Sequence, residues 1–241
     1  FANANNDLTV YLDLNCGMDR TGIVPGPEAK AIYEAIGNAP RLMQGGLHAY
    51  DGHNHEPDLG KRTAQCESDF KPVLDFRKQL VENGSEVPVL IASGTPTFPI
   101  HSRYTDRECS PGTTVLWDFG YDDGLPDLSF EYAAVLLTRV ISKPGRNRVC
   151  LDLGHKAVAA DKPQPRVRLF GTQSAKPLVH SEEHLTVEAE NADELSVGDC
   201  CYGVPVHICP TVALHDIGWA VRDGRAGQSW EIAARRRSLG I

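Results

Sequence analysis

The chain's apolar positions change rhythm about halfway along. In the first half, continuous apolar runs alternate with helix-period segments. Leu8-Thr9-Val10-Tyr11-Leu12-Asp13-Leu14 reads as a strand, and Asn15-Cys16-Gly17 breaks it. Pro27-Glu28-Ala29-Lys30 opens a helix with Ile32, Tyr33 and Ile36 on one face and Gly37-Asn38 as its stop. Leu42 to Tyr50 is a second strand, interrupted by glycines. Phe70, Val73, Leu74, Arg77, Leu80 and Val81 recur at helical spacing up to Gly84, and Pro72 is expected to kink or break that helix. Val87 to Ala92 is continuously apolar, as a buried parallel strand is, and Thr113 to Trp117 is expected to be another. This βαβα order predicts a parallel sheet or barrel.

The second half carries short β-like runs instead. They are Ala134 to Ile141, Val149 to Leu153, Arg166 to Phe170, Leu185 to Glu190, Val204 to Ile208, Trp219 to Arg222 and Trp230 to Ala233. Turns such as Val197-Gly198-Asp199 and Arg222-Asp223-Gly224-Arg225 separate them, so an antiparallel β domain is expected. Leu125-Pro126-Asp127 punctuates the change. It places a boundary near residues 124–131, between a barrel part (1–124) and a β part (125–241).

Composition narrows the function classes. A net charge of -8 argues against nucleic acid or an anionic membrane as the main partner. No apolar run approaches the roughly 20 residues needed to span a bilayer. Seven cysteines, odd in number and without a CxxC pair, point to a reducing, cytoplasmic compartment. Phe1-Ala2-Asn3-Ala4-Asn5-Asn6 has neither the basic nor the apolar region of a secretory signal, and the missing initiator Met implies that the start is absent.

Candidate chemistry clusters after the strand ends. The groups are Asn15 to Gly22, Tyr50 to His55, Ser93-Gly94-Thr95-Pro96-Thr97 and Asp118-Phe119-Gly120-Tyr121. In a βα barrel the C-terminal strand ends form the active face, so four such groups would converge there. Ser93-Gly94-Thr95 can cradle a phosphate with backbone N–H groups and two hydroxyls; the plain alternative is a polar turn. Arg20, between glycines, is either a surface arginine or a permanently charged donor in the barrel mouth. His53 and His55 alternate on an extended stretch and could share a face, whereas His48 sits within a strand and reads as structural.

Two segments compete as metal sites in the second half. His180-Ser181-Glu182-Glu183-His184 fits an H-x-x-E-H pattern, but it runs into the alternation of Leu185 to Ala189, so the helix that this chemistry needs is not expected. His207-Ile208-Cys209 would place imidazole and thiolate on one face of an extended strand, able to grip one ion with positions left for water or substrate. The plain alternative is a buried cysteine beside a chance histidine.

Together these motifs resemble the fold-type III pyridoxal-phosphate family, in its D-threonine aldolase and D-serine dehydratase branch. The matching pieces are Leu12 to Gly22, Gly46 to His53, Ser93 to Thr97, Glu182-Glu183-His184 and the His207/Cys209 pair. The resemblance implies an alanine-racemase-like barrel followed by a β domain, and a homodimer. It implies that Arg20 hydrogen-bonds the pyridine nitrogen, that Tyr50, Ser93, Gly94 and Thr95 hold the cofactor, and that His207 and Cys209 hold a divalent ion. The thiolate favours zinc, with manganese or magnesium as alternatives. His53 and His55 are the candidate bases, although Glu56 stands at the spacing where aldolases carry theirs. The family's lysine lies on a first strand that nothing here matches. The chain is therefore expected to hold about half of the barrel and, alone, to be inactive. The implied activity is retro-aldol cleavage of D-threonine to glycine and acetaldehyde. The alternatives are a D-serine or D-threonine dehydratase and a degenerate, non-catalytic barrel homologue.

Overall fold

A computed structural model describes residues 7–92 and 94–236. It divides the chain into two compact units. One comprises the residues up to Thr114 together with Gly124–Leu128; the other comprises Val115–Asp123 and the residues from Ser129 onward.

The first unit is a parallel sheet with helices. Its elements are β1 (Leu8–Leu14), α1 (Pro27–Asn38), β2 (Leu42–Ala49), α2 (Leu59–Glu82), β3 (Val89–Ala92), α3 (Phe98–His101) and β4 (Glu108–Cys109). The strands run in the order β1-β2-β3-β4, all parallel. Leu12 and Leu14, Leu47 and Ala49, and Leu90 and Ala92 form one core with Phe70, Val73, Phe76 and Leu80 of α2. Those α2 residues recur every three or four positions, the spacing of one helix face.

The structure departs from the sequence reading at four places here. In α1 the buried face is Ala29 and Tyr33, and Ile32 is 44% exposed. In α2 the buried face also excludes Val81, which is 55% exposed. That helix begins at Leu59, where Asp58 accepts the Lys61 amide at 2.8 Å, and runs unbroken through Pro72. Packing of Phe70, Val73 and Phe76 on both sides of Pro72 outweighs one missing hydrogen bond. Finally, Thr113 to Trp117 is not a strand. A 3-10 turn covers Thr113–Val115, and Trp117 takes a φ of 58°, which a strand cannot contain. The fourth strand is the two-residue β4, too short to leave a periodic signal.

The second unit contains α4 (Phe119–Gly124, its last residue in the first unit), β5 (Leu136–Gly145), β6 (Arg148–Leu151), β7 (Val167–Phe170), β8 (Lys176–His180), β9 (Leu185–Glu188), β10 (Cys200–Pro205), α5 (Ile208–Val212), β11 (Ile217–Arg222) and β12 (Arg225–Glu231). Six strands form an antiparallel sheet in the order β7-β10-β5-β6-β9-β8, and β11 and β12 form a hairpin. Val140, Val149, Leu151, Leu185 and Val187 supply its core. The antiparallel domain expected from the sequence is present, with β8 in addition. The His180–His184 segment is strand and turn, with Ser181 N–H donating to the His184 carbonyl at 2.9 Å. The run ending at Ile208 differs. The strand stops at Pro205, so His207 and Cys209 are not strand neighbours.

Among the described residues, no helix is long and apolar enough to cross a membrane.

Backbone approach sets the tightest constraint on the parallel sheet. Gly46 has φ 130°, and a Cβ there would lie 1.8 Å from the Val89 carbonyl oxygen. Gly84 has φ 86° but open space around it. Gly84→Ala should therefore cost about 1 kcal/mol, and Gly46→Ala at least about 3 kcal/mol, because close approach adds to backbone strain. Urea unfolding of the two variants checks this; equal losses would contradict it.

Candidate active site

The C-terminal strand ends of the first unit carry the site, beginning with the loop after β1. The Asn15 side chain accepts the Gly17 and Asp19 amides at 3.0 and 3.1 Å and donates to the Asp19 carboxylate at 2.8 Å. The loop closes on itself where Asn15 N–H meets the Ile23 carbonyl at 2.9 Å and Ile23 N–H meets that of Asp13 at 3.0 Å. A Cβ at Gly22 would strike this closure at 2.7 Å, at a φ of 87°, so glycine is required there. The closed loop presents Arg20, whose guanidinium lies 4.7 Å from the centre of the Tyr50 ring. A cation–π contact engages the guanidinium face and leaves its in-plane N–H groups able to donate.

Tyr50 crosses the backbone of the next two segments. A Cβ at Gly52 would meet its ring at 2.1 Å, and one at Gly94 would meet it at 2.9 Å. The structure thus brings together Arg20, Tyr50 and Gly94, three of the residues expected to hold a cofactor. Thr95 is buried beside them, and its hydroxyl oxygen accepts the Thr113 amide at 3.2 Å. Ser93 lies outside the described residues. The Gly94 amide is not available to an anion as the sequence reading supposed, because it donates to Asp51 at 3.0 Å.

Asp51 is the buried centre of this region. One carboxylate oxygen accepts Gly94 N–H and, at 2.5 Å, the Thr97 hydroxyl; the other accepts His101 Nε2 at 2.8 Å and the Cys66 thiol at 3.4 Å. Burial pushes its pKa up, but hydrogen bonds from His101, Thr97 and Gly94 outweigh that and hold it below the ordinary value. Burial and the Asp51 charge push the Cys66 thiol far up, so it stays a donor. Asp51, Cys66 and His101 bring three possible metal-ligand atoms within 4.8 Å of one another. However, Arg107 reaches His101 Nδ1 at 3.3 Å, and a guanidinium can only donate. The His101 proton therefore sits on Nε2, facing Asp51, and the trio is a hydrogen-bonded network as it stands. Cys16, whose thiol donates to the Tyr50 carbonyl at 3.4 Å, is likewise kept protonated, its pKa raised to about 12 chiefly by burial.

The two candidate bases differ. His53 Nε2 lies 2.9 Å from Asp69, which also accepts from Asn54 at 3.3 Å and Gln65 at 2.7 Å. Asp69 fixes the proton on Nε2 and leaves Nδ1 as a lone pair, buried and without a protein partner among the described residues. His55 is exposed. Glu56 uses its side chain on the Asp58 amide at 3.3 Å and its carbonyl on buried Arg62 at 2.6 Å, as a helix-entry residue does. His48 pairs with Asp13 at 2.7 Å, in keeping with a structural role.

In the second unit, His207 precedes α5 with extended backbone, and Cys209 lies in the helix's first turn. His207 Nδ1 is 2.6 Å from Asp161, which leaves Nε2 for another partner. A hydrogen bond with Cys209 and, against burial, the Asp161 carboxylate raise the His207 pKa to about 9. The two side chains thus meet across a helix entry rather than along a strand. Asp118 fixes that entry by accepting Ile208 N–H at 2.9 Å and Tyr121 N–H at 3.0 Å. So the Asp118–Tyr121 group, expected at a fourth barrel strand, braces the entry to α5 beside His207 and Cys209 instead. A histidine held by a carboxylate on one nitrogen beside a thiol fits a divalent-ion site.

Comparisons with known proteins agree with both halves. The alanine racemase N-terminal domain matches residues 1–117, and a putative serine dehydratase domain matches residues 133–221. Both matched parts are those expected of the fold-type III pyridoxal-phosphate family, in its D-threonine aldolase and D-serine dehydratase branch, which the chain is similar to over nearly its whole length. Its fold is that family's: alanine-racemase-like barrel strands followed by an antiparallel β domain. D-threonine aldolase of Arthrobacter sp is 27% identical over 96% of this chain and 62% of its own length. The 3-hydroxy-D-aspartate aldolase of Paracoccus denitrificans is 27% identical over 95% of this chain and 61% of its own. The crystal structure of D-threonine aldolase from Filomicrobium marinum superposes with a TM-score of 0.88 at 27% identity, covering 95% of this chain and 63% of that one. The chain thus spans about three fifths of the relatives it matches.

Sequence reasoning missed Asp51's role, His101, Asp69 and Asp161. Asp51 lay inside a quoted motif, but the other three are distant in sequence and carry no periodic mark.

Because the folded-state pKa of Asp51 is depressed, its contribution to stability is complete above the ordinary value of about 3.9 and is lost as pH falls through the lower folded value. Asp51→Asn should therefore flatten the acid limb of stability against pH. Urea midpoints measured downward from pH 5 check this; parallel acid limbs for variant and wild type would contradict it.

Proposed function

We propose that the full-length protein is a pyridoxal-phosphate- and metal-dependent lyase that cleaves D-β-hydroxy amino acids, D-threonine giving glycine and acetaldehyde. One observation carries the reading. A chain with Arg20 laid on Tyr50 at its barrel face also carries His207 braced by Asp161 beside Cys209, and a racemase has no use for an ion at the β-carbon.

Pyridoxal phosphate, when bound, supplies an electron sink for bond breaking at the substrate's α-carbon. Arg20 would donate to the pyridine nitrogen and, unable to lose its own proton, would leave that nitrogen unprotonated. Tyr50 would support the ring, and the segment Ser93-Gly94-Thr95, apart from the Gly94 amide that Asp51 engages, would take the phosphate. His207 and Cys209 hold the divalent ion, which would lower the pKa of the β-hydroxyl. His53, oriented by Asp69 on one nitrogen with a lone pair on the other, is the first candidate to accept the β-hydroxyl proton, with His55 as the second. Cys209 favours zinc; manganese or magnesium would suit a harder ligand. Family resemblance supports a homodimer. Among the described residues none of the seven cysteines forms a disulfide, in keeping with a cytoplasmic setting.

A D-serine or D-threonine dehydratase is the second reading, favoured by the thiolate ligand and by the serine dehydratase match over residues 133–221. Feeding D-threonine to the full-length protein separates the two. Glycine and acetaldehyde are expected, whereas 2-oxobutanoate with ammonia would establish the dehydratase. Failure to bind pyridoxal phosphate would leave the non-catalytic homologue.

Metal dependence gives an independent check. Chelation should abolish turnover and added zinc or manganese should restore it. Asp161→Ala should weaken metal affinity by about 10–100-fold, since it removes the partner that orients His207. Unchanged metal titration in that variant would contradict the assignment.

A further inference from the structure

Asp51 is fully buried, yet every acceptor position of its carboxylate is already taken by protein donors. Gly94 N–H and the Thr97 hydroxyl occupy one oxygen, and His101 Nε2 and the Cys66 thiol occupy the other. A carboxylate has about four acceptor sites, so none remains for a ligand. Asp51 cannot touch substrate or cofactor through them; it can only hold what is bonded to it. What it holds is the Gly94–Thr97 turn, gripped at both ends, which includes Gly94 and Thr95 of the segment read above as taking the phosphate. Behind it, Arg107 at 3.3 Å from His101 Nδ1 fixes the tautomer that lets His101 donate.

We propose that Asp51 is the positioning residue of the phosphate-binding turn, setting the shape of Gly94–Thr97 through the Gly94 amide and the Thr97 hydroxyl. This rests on the pyridoxal-phosphate reading. The reasoning is geometric. The turn is buried from Gly94 to Thr97 and closes through Phe98 N–H on the Gly94 carbonyl at 3.1 Å, while Pro96 has no N–H to contribute. Asp51 adds a buried charge that accepts from both ends of this turn, through the Gly94 amide and the Thr97 hydroxyl, and so sets where those ends lie. It is also demanding, since an Asn at this position would present its amide group as a donor toward at least one existing donor. The phosphate end of the cofactor should depend on Asp51, and the ring end, supported by Tyr50 and Arg20, should not.

The test is ligand binding to the full-length apoprotein, followed by tryptophan fluorescence, with pyridoxal phosphate, pyridoxal and inorganic phosphate as separate probes. Asp51→Asn and Thr97→Val should each weaken pyridoxal phosphate and inorganic phosphate by at least about tenfold, as loss of a buried charged hydrogen bond does, while pyridoxal stays within about twofold. Thr97→Ser, which keeps the hydroxyl, should recover most of the loss. If Asp51→Asn fails to fold, Thr97→Val and its serine rescue decide the matter. Equal weakening of pyridoxal and pyridoxal phosphate, or no weakening of either, would overturn the assignment while leaving the cofactor reading intact. Wild-type protein that binds no pyridoxal phosphate would overturn that reading and this assignment with it.

Discussion

A carboxylate taken out of water must have its lone pairs filled, and in the first unit Asp51 satisfies that demand by drawing three segments together. Its donors come from α2, from the turn after β3 and from α3. The parallel sheet brings the strand ends to a common face, but Asp51 decides how the turns at that face are shaped. Tyr50, its neighbour in sequence, then lies across Gly52 and Gly94, where any side chain would collide with it.

The same device recurs in the second unit with different residues. Asp118 accepts the amides at the start of both α4 and α5, and Asp161 takes one nitrogen of His207. In both units the residues expected to touch a ligand are oriented by carboxylates behind them, and this division of labour is common in sites that must hold a ligand rigidly.

Much of this was legible in the sequence, and the residues show why the remainder was not. Strands β1 and β2 announced themselves because long apolar or alternating runs fill a buried sheet. Arg20, Tyr50, Gly94 and Thr95 could be named because loops at strand ends are short and their contents are local. Length and contact distance defeated the rest. β4 is two residues long, and the apolar run Thr113 to Trp117 resembled a strand until the left-handed backbone of Trp117 ruled it out. His207 and Cys209 are side-chain neighbours at a helix entry rather than along a strand, since both arrangements bring residues two apart close together. His101 and Asp161 lie far along the chain from their partners, and no spacing rule reaches them.

The positions of the ion and the cofactor decide between a lyase centre at His207 and Cys209 and any other arrangement. Anomalous diffraction at the zinc edge, from crystals of the full-length protein grown with zinc and pyridoxal phosphate, would locate both. The expected result is an ion bound by His207 Nε2 and Cys209 Sγ, with Asp161 on the opposite nitrogen of the ring, and a phosphate seated against the Gly94–Thr97 turn. An ion bound instead by Asp51, Cys66 and His101, or a His207/Cys209 pair that stays empty under saturating zinc, would contradict it.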